Sequence, residues 1–491
     1  MTSKFIPTTI IFPFLALLFL ACSSAVADPI AIGCNTATGE ATNDVGTCGA
    51  ASVASATGAD SVAIGEDADA SGAQAIAIGR FTEGANTQAI AIGSNADANV
   101  DAGTQAVAIG SNAQSEENDT VAIGTSSEAR GNQAIAIGLN ADANDDGIGT
   151  QAVAIGSSAQ SEENDTVAIG TSSEARGNQA IAIGLNADAN DNGIGTQAVA
   201  IGAGAQAENE DAIAIGTGAD AIGTQSVAIG ENAQANLTNG DSAIAIGDAA
   251  QANNTQAIAI GDGADANVDA GTQAVAIGAG AQAENEDAIA IGTGADAIGE
   301  QSVAIGERAE ANVTAGTRGV AVGTAAQAEA DDAVAVGTSA EALANQAIAI
   351  GENSIANGIA STAVGDRAVA SFDNSVAVGS ISVADEATPA AAVATPQVVN
   401  GVTVNETHDA FAEFSVGDDT ANRLVTNVAD GRITATSSDA VNGSQLFQTI
   451  DQLSASLAGP VTNAGLALNA VRGAATTTGV DVIEDGSIGG S

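Results

Sequence analysis

A glycine preceded by Ala-Ile or Ala-Val recurs 22 times in this 491-residue chain, from Gly65 to Gly379. Fifteen of the 21 intervals are 14 residues, four are 17 and two are 18. Ile or Val always precedes the glycine and Ala always precedes that; one position further back is Ile or Val in every unit except at Thr362. Such a register is a geometric constraint, in which each unit is one small element that must stack on its neighbours. Alternation at i and i+2 is the period of a strand. In Gln74-Ala75-Ile76-Ala77-Ile78-Gly79 the branched residues share one face and the alanines the other. A second alternating stretch follows the glycine, as in Asn95-Ala96-Asp97-Ala98-Asn99, with one small and one polar face. Two short strands and two turns make one coil of a thin, all-β solenoid.

Such a coil is a poor folding unit by itself. Ordering 14 backbones costs about 14–28 kcal/mol, whereas burying two branched side chains returns about 3–6 kcal/mol. An oligomer is therefore expected. The alanine face reads as the one that approaches identical chains around a symmetry axis, and the branched face as covered within the coil. At about 4.8 Å per coil, the array makes a rod roughly 100 Å long.

Composition removes the competing classes. The formal charge is −50, from 60 acidic and 10 basic residues, so nothing here neutralises phosphates and a nucleic-acid partner is excluded. Disorder fits the charge but not the 45% hydrophobic content. Residues 1–27 read as a signal peptide: Lys4 opens it, Phe5 to Ala21 is apolar, and Ala25-Val26-Ala27 is a cleavage site before Asp28. Cys22 offers a rival, lipid attachment, although Phe19 stands where a small aliphatic residue is expected. Either way the chain is expected to leave the cytoplasm.

The extra three or four residues of the longer units always enter after the second strand. They include Val100, Asp101, Asp145, Asp146, Asp191, Asn192, Asn239, Asp269 and Thr314. Six loops on one edge are candidates for recognition. Pro389 and Pro396 end the array. Beyond them lie Phe414-Ser415-Val416-Gly417, then Arg423-Leu424-Val425-Thr426-Asn427-Val428-Ala429-Asp430-Gly431, then Asp439-Ala440-Val441-Asn442-Gly443-Ser444-Gln445-Leu446-Phe447. These runs resemble the neck of the trimeric autotransporter adhesins, and the array resembles their YadA-like head. The resemblance implies a left-handed parallel β-roll, a homotrimer, and adhesion of a Gram-negative bacterium to host or matrix proteins. It identifies Arg423, Thr426, Asn427, Asp439, Ala440, Val441, Asn442, Gln445 and Leu446 as neck residues. The organisation expected is a signal peptide (1–27), N-terminal cap coils (28–60), head repeats (61–384), a linker (385–410), the neck (411–446), a short coiled-coil start (447–459) and a low-complexity tail or truncated stalk (460–491). Leu446, Ile450, Leu453 and Leu457 carry a coiled-coil seam that Gly459-Pro460 stops. The family's outer-membrane β-barrel anchor has no counterpart here, so the sequence is expected to be a fragment of a longer product; otherwise the chain is secreted or periplasmic.

Enzymatic chemistry is not expected. His408 is the only histidine, and each acidic residue recurs with the repeat, so no carboxylate pair stands apart. No cofactor is expected beyond diffuse calcium around acidic runs such as Glu116-Glu117-Asn118-Asp119. Cys34 and Cys48 are one coil apart if coils end at Gly33, Thr47 and Gly65, which places them within disulfide reach. The alternative function is a non-adhesive structural or ice-facing solenoid. Ice binding calls for a regular Thr-x-Thr row, but the exposed strand carries Asp, Asn, Gln and Glu.

Overall fold

A computed structural model of the chain describes residues 30–32, 54–98, 104–144, 150–190, 196–235, 241–266, 272–311 and 317–385 of the repeat region. Beyond it the described residues are 397–399, 402–404, 412–418, 420, 422–434, 437, 439–455, 481–482 and 488–489. The chain divides into one unit of Met1–Ala387 with Ala412–Ser415 and another of Thr388–Phe411 with Val416–Ser491.

The first unit is a parallel β-solenoid. Each coil has a three-residue strand, a turn opened by the repeat glycine, a two-residue strand and a second turn. Val199–Ile201 and Gln206–Ala207 form one such coil. Equivalent strands pair in register between neighbouring coils: Ala200 lies beside Ala214 and Gln206 beside Asp220. The three-residue strands make one 24-stranded sheet. Phe414–Ser415 closes its C-terminal end, pairing with Val376 and Ala377. At the other end Ile30–Ile32 pairs directly with Val62–Ile64. The intermediate coil expected at Thr47 lies outside the described residues. Cys34 and Cys48 themselves lie outside the described residues.

The alanines fill the space between the two sheets. Ala198, Ala200, Ala205, Ala207 and Ala212 are all 0% exposed, and the same columns are buried along the array. This corrects the expected use of the faces. The alanine face closes the coil on itself, and the branched face looks outward. The reason is thickness, since two strands joined by such short turns leave room between them for alanine, serine or threonine but not for the larger branched side chains.

The turns explain the glycine. Gly247 has φ 142°, and a Cβ on it would stand 2.2 Å from the carbonyl oxygen of Gly261 in the next coil. Both strain and collision therefore exclude other residues. The polar turn residues follow from the same geometry. Asn95 (φ 55°) and Gln88 (φ 64°) take left-handed conformations, which small polar side chains tolerate best.

The second unit contains two antiparallel pairs, Gln397–Val399 with Val402–Val404 and Asp481–Val482 with Ile488–Gly489. Residues 443–455 are helical. Among the described residues no helix is long and apolar enough to cross a membrane.

An Ala214→Leu substitution, which forces extra carbons between the sheets, is expected to destabilise the head by about 1–3 kcal/mol. A lowered urea midpoint would show it. Thr217→Ser, at an exposed turn, should leave the midpoint nearly unchanged.

Candidate interaction surfaces

No cleft dominates the solenoid, so its outward faces are the candidate sites. The first face is apolar. The branched residues of the three-residue strands are half-buried, and Ile350 reaches 40% exposure. Column after column, they form a flat stripe the length of the array. A contiguous apolar surface of this extent marks an interface.

The second sheet presents the opposite, polar face. Its outward column runs Asp97, Gln114, Glu128, Asp142 through successive coils, and the next coils repeat it as Gln160, Glu174, Asp188. In-register stacking thus sets like charges about 4.8 Å apart. In two places an arginine relieves this. Arg130 reaches Glu116 at 3.7 Å and Asp142 at 3.3 Å and also pairs with Glu128, with only 22% of its side chain exposed. Arg176 repeats the arrangement with Glu162, Glu174 and Asp188. Along the same column, burial and neighbouring acids raise several carboxyls. Burial, then Glu83 and Glu116, push Asp97 up to about 6; burial, then Glu284 and Glu310, push Asp296 up to about 6. Asp220 and Asp265 are also raised by burial, Asp265 with help from Glu284.

The nine loop residues singled out by sequence, Val100, Asp101, Asp145, Asp146, Asp191, Asn192, Asn239, Asp269 and Thr314, lie outside the described residues. Their flanks are described and share one edge. Ala98 and Ala143 end equivalent strands of the second sheet. The chain re-enters at Thr104, Thr150 and Thr317. Their backbone N–H groups donate to Asn118 Oδ1 (2.9 Å), Asn164 Oδ1 (2.9 Å) and Asp331 Oδ1 (2.8 Å). The six insertions follow the coils of Gly93, Gly138, Gly184, Gly230, Gly261 and Gly306. All are three coils apart except the pair at Gly230 and Gly261, which makes a comb with a spacing of about 14 Å.

In the second unit the neck residues form one network. Asn442 caps the helix: its Oδ1 accepts from Gln445 N (3.0 Å), while its own N–H donates to Gln445 Oε1 (3.3 Å). This is a reciprocal capping box. Gln445 Nε2 also donates to Gly431 O (2.6 Å), and Asn442 Nδ2 to Asp430 Oδ1 (2.7 Å). Asp439 pairs with Arg432 at 2.9 Å, which holds its carboxyl below the usual range. Arg423 Nη1 donates to Val416 O (2.7 Å). Thr426, Asn427, Ala440 and Val441 line a groove of about 650 Å³. On the helix Leu446, Ile450 and Leu453 are exposed along one side.

A long parallel solenoid with one apolar and one acidic face, followed by a capped helix with an exposed seam, belongs to the class of assembling fibrous proteins. The YadA head domain repeat matches the chain in 14 overlapping segments between residues 56 and 380, and the coiled stalk of trimeric autotransporter adhesin matches residues 424–464. The chain belongs to this family of cell-surface, adhesin-type proteins. Among solved structures, the C-terminal YadA-like domain of a Burkholderia pseudomallei protein is 35% identical over 23% of this chain, with a TM-score of 0.20. The alignment spans 52%, about half, of that Burkholderia chain. The collagen-binding domain of the Yersinia adhesin YadA is 24% identical, covering 57% of this chain and 87% of its own, with a TM-score of 0.13. No curated protein matches the chain at comparable significance.

Arg130→Gln leaves three half-buried carboxylates facing each other and is expected to cost about 1–2 kcal/mol. Urea unfolding should show a loss that shrinks as salt is raised. A second outcome concerns pH. Folding raises Asp97 and Asp296 from 3.8 to about 6, so between those values the unfolded chain ionises first and the head loses stability as pH rises. The melting temperature should therefore be higher near pH 5 than at pH 7, and Asp296→Asn should flatten that difference.

Proposed function

We propose that the chain supplies the head, neck and stalk beginning of a homotrimeric adhesin, exported by residues 1–27 and attaching a bacterium to host or extracellular-matrix proteins. The branched stripe, interrupted only at Thr362 among the described coils, supports this reading most directly. Each coil already fills its interior with alanine, so the stripe has no use within one chain. Closed symmetry lets identical copies cover it. The exposed seam of the helix asks for the same symmetry. The recognition surface is then what the association leaves outside, namely the acidic sheet and the loop edge. Acidity disfavours bare anionic glycans and favours protein targets. Counterions, calcium among them, screen this face diffusely, and no cofactor or catalytic step is assigned.

Light scattering of purified Asp28–Ser491 should give the mass of three chains. Ile213→Asp with Ile215→Asp, which places charges in the middle of the stripe, should shift that mass toward single chains and abolish attachment to surfaces coated with matrix protein. A folded monomer of the unaltered chain would overturn the reading and favour a non-adhesive solenoid.

A further inference from the structure

The acidic sheet carries three carboxylates in the same backbone register three times, twice around an arginine and once without one. Glu116, Glu128 and Asp142 surround Arg130, and Glu162, Glu174 and Asp188 surround Arg176. The pairing register sets Asp296 where Glu128 and Glu174 stand, and Glu310 where Asp142 and Asp188 stand. Glu284 takes the place of Glu116 and Glu162, two residues past Gln282 as they are past Gln114 and Gln160. The backbones agree: Arg130 N donates to Ala143 O at 3.0 Å, and Ile298 N to Ala311 O at 3.1 Å. Ile298 therefore occupies the arginine's position, while all three carboxylates are kept.

Two other coils lose the arginine as well, but there the third acid goes with it. Ile222 is accompanied by Gln234 at the position of Asp142, and Leu343 by Ile355. Only the set at Glu284, Asp296 and Glu310 keeps its full charge. Asp296 Oδ1 is shut off from solvent and accepts no hydrogen bond, a property it shares with Asp69, Asp97, Asp220 and Asp265 along the column, while Glu310 accepts a hydrogen bond from Gln327 at 3.2 Å.

We propose that Glu284, Asp296 and Glu310 form a socket for an arginine side chain presented by a protein partner. Two sets at the same backbone positions in this chain already clasp a guanidinium, with glutamate where Asp296 stands and aspartate where Glu310 stands. Among the described residues no three ligating side chains converge closely enough for one metal ion. Carboxylates on successive coils instead match the wide, planar fork of arginine better than the point charge of lysine. Ile298 offers an apolar wall for the arginine's methylene stem. The sheet faces away from the branched stripe, so association through the stripe leaves the socket open.

The partner class rests on the adhesive reading above, whereas the socket itself is tested in solution. The probe is a fluorescein-labelled peptide of three arginines separated by glycines, with a lysine counterpart. Binding to the full chain is followed by fluorescence anisotropy at physiological salt. The arginine peptide should bind more tightly than the lysine peptide. Asp296→Asn and Ile298→Arg should each weaken it about fivefold. Asp248→Asn, the same change of charge on an exposed turn, should not. Ile298→Arg should also raise the unfolding midpoint, because it supplies the guanidinium from within. Equal affinity for both peptides, or equal losses in all three variants, would show only a diffuse polyanion and overturn the proposal. Attachment to matrix-coated surfaces, measured alongside, separates the two readings, since adhesion retained without a socket leaves the adhesin standing.

Discussion

Only side chains the size of alanine, serine or threonine fit between the two sheets of a 14-residue coil, and the rest of the molecule follows from that thickness. The interior is alanine, with an occasional hydroxyl pair such as Ser115 and Thr120, whose oxygens lie 2.6 Å apart. Each buried methyl contributes about 0.8 kcal/mol, so a single coil stays far from stable. Cohesion must come from backbone ladders repeated coil on coil, and from whatever covers the branched residues that the interior cannot accept. An apolar stripe on the outside is the unavoidable complement of an alanine core.

The alternation Ile-Ala-Ile-Gly made the strand, its length and the stacking legible, because period and spacing are enough to define them. Which face is inside was not legible. Alternation separates two faces without ranking them, and the usual preference for burying the larger side chain points the wrong way here. The deciding quantity is the distance between sheets, which depends on turns of only a few residues and on Gly247 lying against Gly261. The neck motif showed where its residues are, but not that Asn442 and Gln445 cap one helix reciprocally.

Parallel, in-register stacking also dictates the polar surface. Every side chain faces its own equivalents about 4.8 Å away, so a residue type is tolerated in a column only if it accepts itself as a neighbour. Glutamine does: Gln88 Nε2 donates to Gln74 Oε1 at 3.1 Å, and Gln105 Nε2 to Gln88 Oε1 at 3.0 Å. Carboxylates do so at a cost, and between Gln114 and Gln206 the second sheet interrupts them every third coil with Gln114, Gln160 and Gln206. In that stretch the chemical period is three coils rather than one, the same period at which the loops enter there.

A repeat that grows by copying three-coil modules gains reach without changing its chemistry, because each copy brings its acids and its arginine together. In the coils of Ile222 and Leu343, which also lack the arginine, the third position holds no carboxylate. Around Ile298 all three carboxylates stand without an arginine, and their mutual repulsion destabilises the coil that holds them. In an array where most positions answer only to stacking, a costly departure from the module is the kind of position that answers to something outside the chain.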